Sequence, residues 1–360
     1  MTTAPSLPIN KRAVHFDLVR FIATFIVVEL HVSTPWLWRD QDMHSGFWIT
    51  CLFFDTLGRM GVPIFLMISG ALLLNKQESY SSFFKKRFTR VFIPLVFWTI
   101  VYEIRILANH HYLNGSIDWS QWRTLLKNPL EGPVYDHLWF LYMIIGMYLV
   151  TPFLRKVIPV LGRKDLIYLL CLWIFSNILL PLLYNYTDFR LGFAIPVLSA
   201  YLGFYVLGYY IMHYQFSAKQ IRIAWFVFAG VFILNIWTVW FDSVRHGTTT
   251  IFFLAHHRPG IFLQACSGFI LLEHYAMHAF ARFSEKKYKF LAYLGGTTFG
   301  IYLLHPLIIE LFEGLTMEPY STWIHKAPVL VIPIVSIIIT AVTMGIVSLM
   351  LKLPLFKKFV

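Results

Sequence analysis

The chain has 360 residues, of which 58% are hydrophobic and only 13% are charged, and its mean hydropathy is +0.64. These values exclude an ordinary soluble domain and indicate an integral membrane protein. The formal net charge of +12 would suggest a nucleic-acid partner in a soluble protein. Here the basic residues lie between apolar runs, as in the cytoplasmic loops of membrane proteins, so we exclude nucleic acid and expect the lipid bilayer as the partner.

Apolar runs of about 20 residues predict the transmembrane helices. Ten candidates occur, near residues 14–36, 47–74, 91–108, 137–154, 166–184, 192–213, 223–241, 259–280, 290–313 and 328–351. They predict an all-α membrane protein, a bundle of about ten transmembrane helices that forms a single domain over residues 1–360. No small-residue cleavage site is evident after the first run, so we expect that run to remain as an anchor.

Some of these runs have features of their own. The second is too long for one perpendicular crossing and contains Gly58, Gly61 and Pro63, which predicts a tilted or broken helix. The runs at 166–184 and 223–241 carry almost no charge and are predicted to face lipid.

The basic residues predict the orientation of the chain. Twenty Lys and Arg residues fall in one set of alternate loops and seven fall in the other set. The richer set is expected to be cytoplasmic, which places both termini in the cytoplasm and requires an even number of crossings. This orientation predicts a multi-pass protein of the cytoplasmic (inner) membrane.

The first run carries two ionisable residues on one face. Arg20 and His31 are eleven residues apart, so their side chains share a helix face and lie about 16 Å apart along the axis. Ionisable groups inside a bilayer usually face a protein interior or a water-filled cavity, which favours a functional site. His137 in HLWFL and His305 in FGIYLLHP are predicted to lie in the outer half of the membrane, at the level of His31.

Other polar residues have structural interpretations that the sequence leaves open. Arg87 and Arg90, one turn apart on the cytoplasmic side, could bind substrate, enforce topology or contact anionic lipid. Arg59 lies four residues after Asp55, which favours a structural ion pair. His137 and His305, each taken alone, could be interior or interfacial histidines with satisfied hydrogen bonds, and His137 with Trp139 beside it fits an aromatic belt.

The first run resembles the hallmark of the acyltransferase 3 family, an Arg, ten residues and a His, in FDLVRFIATFIVVELH. Four more segments are similar to later signatures of that family: RMGVPIFLMISG from Arg59, KKRFTRVFIP with Arg87 and Arg90, HLWFLYMIIGMYL from His137, and TTFGIYLLHPL with His305. The resemblance implies transfer of an acyl group, usually acetyl, from cytoplasmic acyl-CoA to a hydroxyl of a sugar or related acceptor.

The resemblance also implies roles for the charged residues. His31 is expected to act as the general base, with Arg20 and His305 as the other catalytic residues. Arg20, Arg87 and Arg90 are expected to bind the phosphorylated part of the acyl-CoA donor, which is a substrate, and no permanently bound cofactor is expected. Direct transfer and a route through an acyl-histidine both remain open.

The acceptor is expected to be a glycan or glycolipid on the outer side. His137, Arg59 and Trp139 are the predicted substrate-binding residues, and Trp119 and Trp122 in the long outer loop are further candidates for stacking on sugar rings. Many relatives carry a fused SGNH-type hydrolase domain, whereas this chain stops at residue 360, so it is expected to act alone or with a separate periplasmic partner. The alternative is a transporter or flippase of a polyprenyl-linked glycan, although no inverted repeat is visible.

The cysteines predict no metal centre. Cys51, Cys171 and Cys266 fall within apolar runs at spacings that match no metal or disulfide pattern. We therefore expect no metal ion in the site.

Overall fold

The computed structural model describes residues 9–115, 131–192, 201–280 and 283–360, and this part of the chain is helical, with no strand. Trp119 and Trp122 lie outside the described residues. The α-helices are α1 Ile9–Arg39, α2 Gly46–Gly58, α3 Gly61–Leu73, α4 Tyr80–Arg87, α5 Ile93–Asn114, α6 Trp139–Val157, α7 Arg163–Ile174, α8 Leu180–Tyr186, α9 Leu202–His213, α10 Ala218–His246, α11 Pro259–Phe280, α12 Glu285–Lys326 and α13 Pro328–Lys352. A π-helical turn, Phe88–Phe92, joins α4 to α5, and a second, Phe175–Leu179, joins α7 to α8.

Seven helical segments in the described residues are long and apolar enough to cross a membrane, which supports a multi-pass membrane protein. They are Gly46–Leu73, Tyr80–Asn109, Asp136–Val160, Arg163–Tyr186, Ala218–His246, Glu285–Thr316 and Pro328–Lys352. The other three predicted runs overlap α1, α9 and α11. The total of ten crossings and the cytoplasmic termini therefore stay predictions.

The predicted break in the second run is confirmed. The helix ends at Gly58 and a new one begins at Gly61, with Arg59 and Met60 between them. Both glycines lie against α1, because a Cβ added at Gly58 would overlap Leu30 and one added at Gly61 would overlap Val27. Small residues therefore let the broken helix pack closely against α1.

The helix α1 lies inside the bundle, where it packs against α2, α3, α11, α12 and α13. This position explains how one helix carries polar side chains at two depths, since those side chains face protein rather than lipid. The helix α10 has the opposite environment. Its Phe226 is 80% exposed and Ile233 is 66% exposed, as expected for the predicted lipid-facing scaffold.

Candidate functional site

Three histidines from distant parts of the chain meet inside the bundle. His31 lies on α1, His305 lies on α12, and His137 lies in the 3₁₀ turn Asp136–Leu138 that precedes α6. The ring centroids of His31 and His305 are 4.9 Å apart, and those of His137 and His305 are 5.8 Å apart. His137 and His305 are almost fully buried. The three histidines that the sequence predicts at one depth in the membrane therefore form one cluster in the structure.

Hydrogen bonds to helix carbonyls define the tautomers of two of these rings. A carbonyl oxygen can only accept, so His31 Nδ1 donates to Val27 O at 2.8 Å and His305 Nδ1 donates to Ile301 O at 3.0 Å. His305 Nε2 then carries a lone pair and accepts from His31 Nδ1, 3.3 Å away. His31 Nε2 is left with an unshared lone pair, which is the form that a general base requires.

Two tyrosines hold the backbone around the cluster. The Tyr302 hydroxyl donates to the carbonyl oxygen of His137, and the Tyr102 hydroxyl donates to the carbonyl oxygen of Leu303 at 2.8 Å. Both rings also contact the His137 ring edge to face, with centroids 5.5 and 5.0 Å away. The tyrosines therefore join the turn before α6 to α12 and fix the position of His137.

The predicted ion pair between Asp55 and Arg59 is present. Arg59 Nε and Nη2 each donate to one carboxylate oxygen at 3.0 Å, and the Thr34 hydroxyl donates to the same carboxylate. Asp55 is fully buried. The charge of Arg59 is therefore largely neutralised, and the Asp55 carboxylate links Arg59, at the break between α2 and α3, to α1.

The ring of Trp139 lies close to two other rings, those of Tyr201 and His256. Its ring is 5.5 Å from Tyr201 and 5.6 Å from His256, centroid to centroid. Burial lowers the pKa of His256 to about 3, with further lowering from the nearby charges of Arg59 and His257, so this imidazole is neutral near pH 7. Sequence reasoning did not single out His256, because a histidine in a loop carries no periodic signal.

A cavity of about 190 Å³ lies near the other end of α1. Arg20, Arg87 and Arg90 all line it, although they come from α1, α4 and the turn that follows α4. Tyr148 and Tyr302 also line this cavity. The three arginines predicted to bind the donor therefore share one cavity, whereas none of the three clustered histidines is among its lining residues.

Two of the three arginines have acidic partners. Arg20 Nη1 lies 2.6 Å from Asp17 Oδ1, and Arg87 Nη2 lies 3.6 Å from Glu78 Oε1. Arg90 is exposed and has no acidic partner in the part of the chain that the structure describes. It is consequently the cavity arginine best able to bind an anion without first losing an ion pair.

The position of Arg87 depends on a small network around Glu78. Arg155 lies 3.0 Å from Glu78 Oε1, donates to Leu73 O at 2.7 Å, and packs over the Phe83 ring at 4.4 Å. Burial alone would raise the pKa of Glu78, but hydrogen bonds from Arg155 and Lys86 outweigh burial and lower the pKa below its usual value. Glu78 is therefore ionised at neutral pH and holds two basic segments together.

The comparisons with known proteins give one match. The acyltransferase domain model of the acyltransferase 3 family matches residues 14–348, which is nearly the whole chain. No curated protein and no solved structure matches the chain.

Proposed function

Because this chain belongs to the acyltransferase 3 family, we propose that it transfers an acetyl group from cytoplasmic acyl-CoA to a hydroxyl of a cell-surface or lipid-linked glycan, as an O-acyltransferase of the inner membrane. The observation that carries this proposal is the cavity, which is lined both by three arginines and by Tyr302. Tyr302 in turn contacts the histidine cluster. An anionic donor and a basic catalytic group would thereby meet along one path.

The basic end of the cavity suits the phosphorylated part of acyl-CoA. Guanidinium groups bind phosphate oxygens with paired, charge-assisted hydrogen bonds. Arg87 and Arg90 are one turn apart, and Arg20 joins them from α1. The excess of basic residues in the same set of loops favours a cytoplasmic position for this end, where acyl-CoA is available.

The histidines supply the proton transfers. In direct transfer, His31 Nε2 accepts the proton of the acceptor hydroxyl while the hydroxyl oxygen bonds to the acyl carbon. The bond between that carbon and sulfur then breaks, and the proton passes from His31 to the leaving thiolate of CoA. His305 acts through His31, because its Nε2 accepts from His31 Nδ1 and stabilises the imidazolium that forms. His305 is thus a positioning residue, since its single N–H is engaged by Ile301 O.

The acceptor is proposed to approach from the opposite side of the cluster. His137 belongs to the cluster, and Trp139, Tyr201 and His256 form an aromatic group that begins two residues later in the chain. Aromatic faces and neutral imidazoles suit the apolar faces and hydroxyls of sugars. Arg59, paired with Asp55, is close enough to His256 to lower its pKa.

Transfer of label tests the proposal directly. Membranes that contain the protein, given acetyl-CoA labelled in the acetyl group and lipid-linked glycan from the same cells, are expected to yield labelled glycan, and membranes without the protein are expected to yield none. Mass spectrometry of the glycan should show an added acetyl group. Movement of glycan across the membrane without incorporation of label would instead support the flippase alternative and overturn the acyltransferase proposal.

Arg90 gives a specific test of the donor end. Replacing it with glutamine removes a charge-assisted contact to phosphate, so KM for acetyl-CoA is expected to rise about 10- to 100-fold with a smaller change in kcat. Arg222→Gln is the matched control, because Arg222 is also exposed and basic but lies at the start of α10, outside the cavity. Equal KM values for Arg90→Gln and wild type would contradict the assignment of this cavity to the donor.

A further inference from the structure

Aromatic rings line the end of the cavity away from the arginines. Phe65 on α3, Phe140 on α6 and Tyr302 on α12 belong to the lining. Phe140 and Tyr302 lie about two helical turns from Tyr148 and Gly295, the lining residues of the same helices that lie near Arg87 and Asp17. The ring centroids of Phe65 and Phe140 are 6.1 Å apart, and those of Phe140 and Tyr302 are 5.6 Å apart. The three rings form a continuous apolar wall. A group that enters from the arginine end therefore meets carbon atoms and no cation at this wall.

Tyr302 separates the cavity from the histidine cluster. Its ring lies 5.5 Å from the His137 ring and 6.4 Å from the His305 ring, and neither histidine lines the cavity. The ring is held in place, since its hydroxyl donates to His137 O and its side chain is only 8% exposed. Tyr302 is thus the last side chain before the histidines along the path from Arg87 and Arg90.

We propose that Tyr302 determines which acyl groups the enzyme accepts, by limiting their length and excluding charged ones. This inference rests on the proposed acyl-CoA donor. To react beside His31, the acyl group must pass the Tyr302 ring, so acetyl needs the least space there and each additional methylene needs more room beside the ring. A succinyl group would bring its carboxylate against the wall of Phe65, Phe140 and Tyr302, where burial of an unpaired charge is costly. Acetyl therefore fits this end better than butanoyl or succinyl.

A graded series at position 302 tests the inference. We would measure kcat/KM for acetyl-CoA and butanoyl-CoA with wild type, Tyr302→Phe, Tyr302→Leu and Tyr302→Ala. The ratio of butanoyl to acetyl transfer is expected to rise at least about tenfold in the leucine and alanine variants, because discrimination by a pocket wall is worth about this much per methylene. Tyr302→Phe keeps the ring and is expected to keep the wild-type ratio. The ratio compares two donors in the same preparation, so loss of folded protein does not change it.

A variant at a second position tests the inference even if the variants at position 302 fail to fold. Phe140→Leu shortens the same wall without touching the hydrogen bond of Tyr302, and it is expected to shift the ratio in the same direction. An unchanged ratio in Phe140→Leu and in every active variant at position 302, with wild type active on acetyl-CoA, would overturn the inference and leave the proposed function intact. A wild type that transfers neither donor would refute the proposed function and, with it, this inference.

Discussion

Replacing His31 with alanine is expected to lower kcat for acyl transfer by about 10²- to 10⁴-fold, which is the usual contribution of a general base. The structure supports this expectation because His31 Nδ1 is engaged by Val27 O and His305 Nε2, so Nε2 is the nitrogen that is left to accept a proton. KM for acetyl-CoA is expected to change little, since His31 does not line the cavity that contains the three arginines. The measurement is steady-state transfer of labelled acetyl in purified membranes.

A matched histidine separates the loss of a base from general damage. His246→Ala removes an exposed imidazole at the end of α10 that makes the same kind of contact, from Nδ1 to the carbonyl four residues earlier. This control is expected to transfer acetyl at the wild-type rate. His305→Ala is expected to fall between the control and His31→Ala, because it removes only the partner of the base. Transfer by His31→Ala at the wild-type rate would show that another group takes the proton.

Much of the candidate site could be predicted from the sequence because depth in a membrane protein follows from position along a helix. His31, His137 and His305 were each placed in the outer half by their distance from a helix end, and they do meet in the structure. The sequence also predicted a tilted or broken helix near Gly58 and Gly61, since a run of this length is too long for one perpendicular crossing, and the structure shows the break. These predictions needed only periodicity, length and the distribution of basic residues.

The neighbours of those residues could not be predicted, because contacts between helices depend on how the helices pack. Nothing in the spacing of Glu78 and Arg155 indicates that they meet, although their contact holds Arg87 at the cavity. The position of Tyr302 beside the histidines could not be predicted either, because the sequence does not distinguish it from the other aromatic residues in apolar runs. Asp17 is the exception, since its position three residues before Arg20 was a readable signal for the ion pair that forms.

The crossing of α3 and α9 is expected to be the structural feature most sensitive to a single methyl group. A Cβ added at Gly70 would overlap the carbonyl oxygen of Tyr205, and one added at Gly208 would overlap the carbonyl oxygen of Met67. Both obstacles are backbone atoms, so the helices themselves must separate. Gly70→Ala and Gly208→Ala are each expected to lower the free energy of unfolding by about 1–3 kcal/mol or more, measured by thermal unfolding in detergent.

Two glycines elsewhere in the bundle provide the controls. Gly146 on α6 and Gly230 on α10 are exposed, and a Cβ added at either position meets no atom within 4 Å. Their alanine variants are expected to unfold at or above the wild-type temperature, because alanine favours helix more than glycine does. If Gly70→Ala and Gly208→Ala also unfolded at the wild-type temperature, the close approach of α3 and α9 would be wrong.

The variant that combines Gly70→Ala with Gly208→Ala shows whether one helix shift relieves both overlaps or each overlap is relieved separately. Gly70 and Gly208 face opposite partners across one crossing, so a single outward shift of α9 relieves both overlaps. Once the first alanine has forced that shift, the second is expected to cost much less, and the two effects should fall short of additivity by about 0.5–3 kcal/mol. Strict additivity would mean that each helix deforms locally instead.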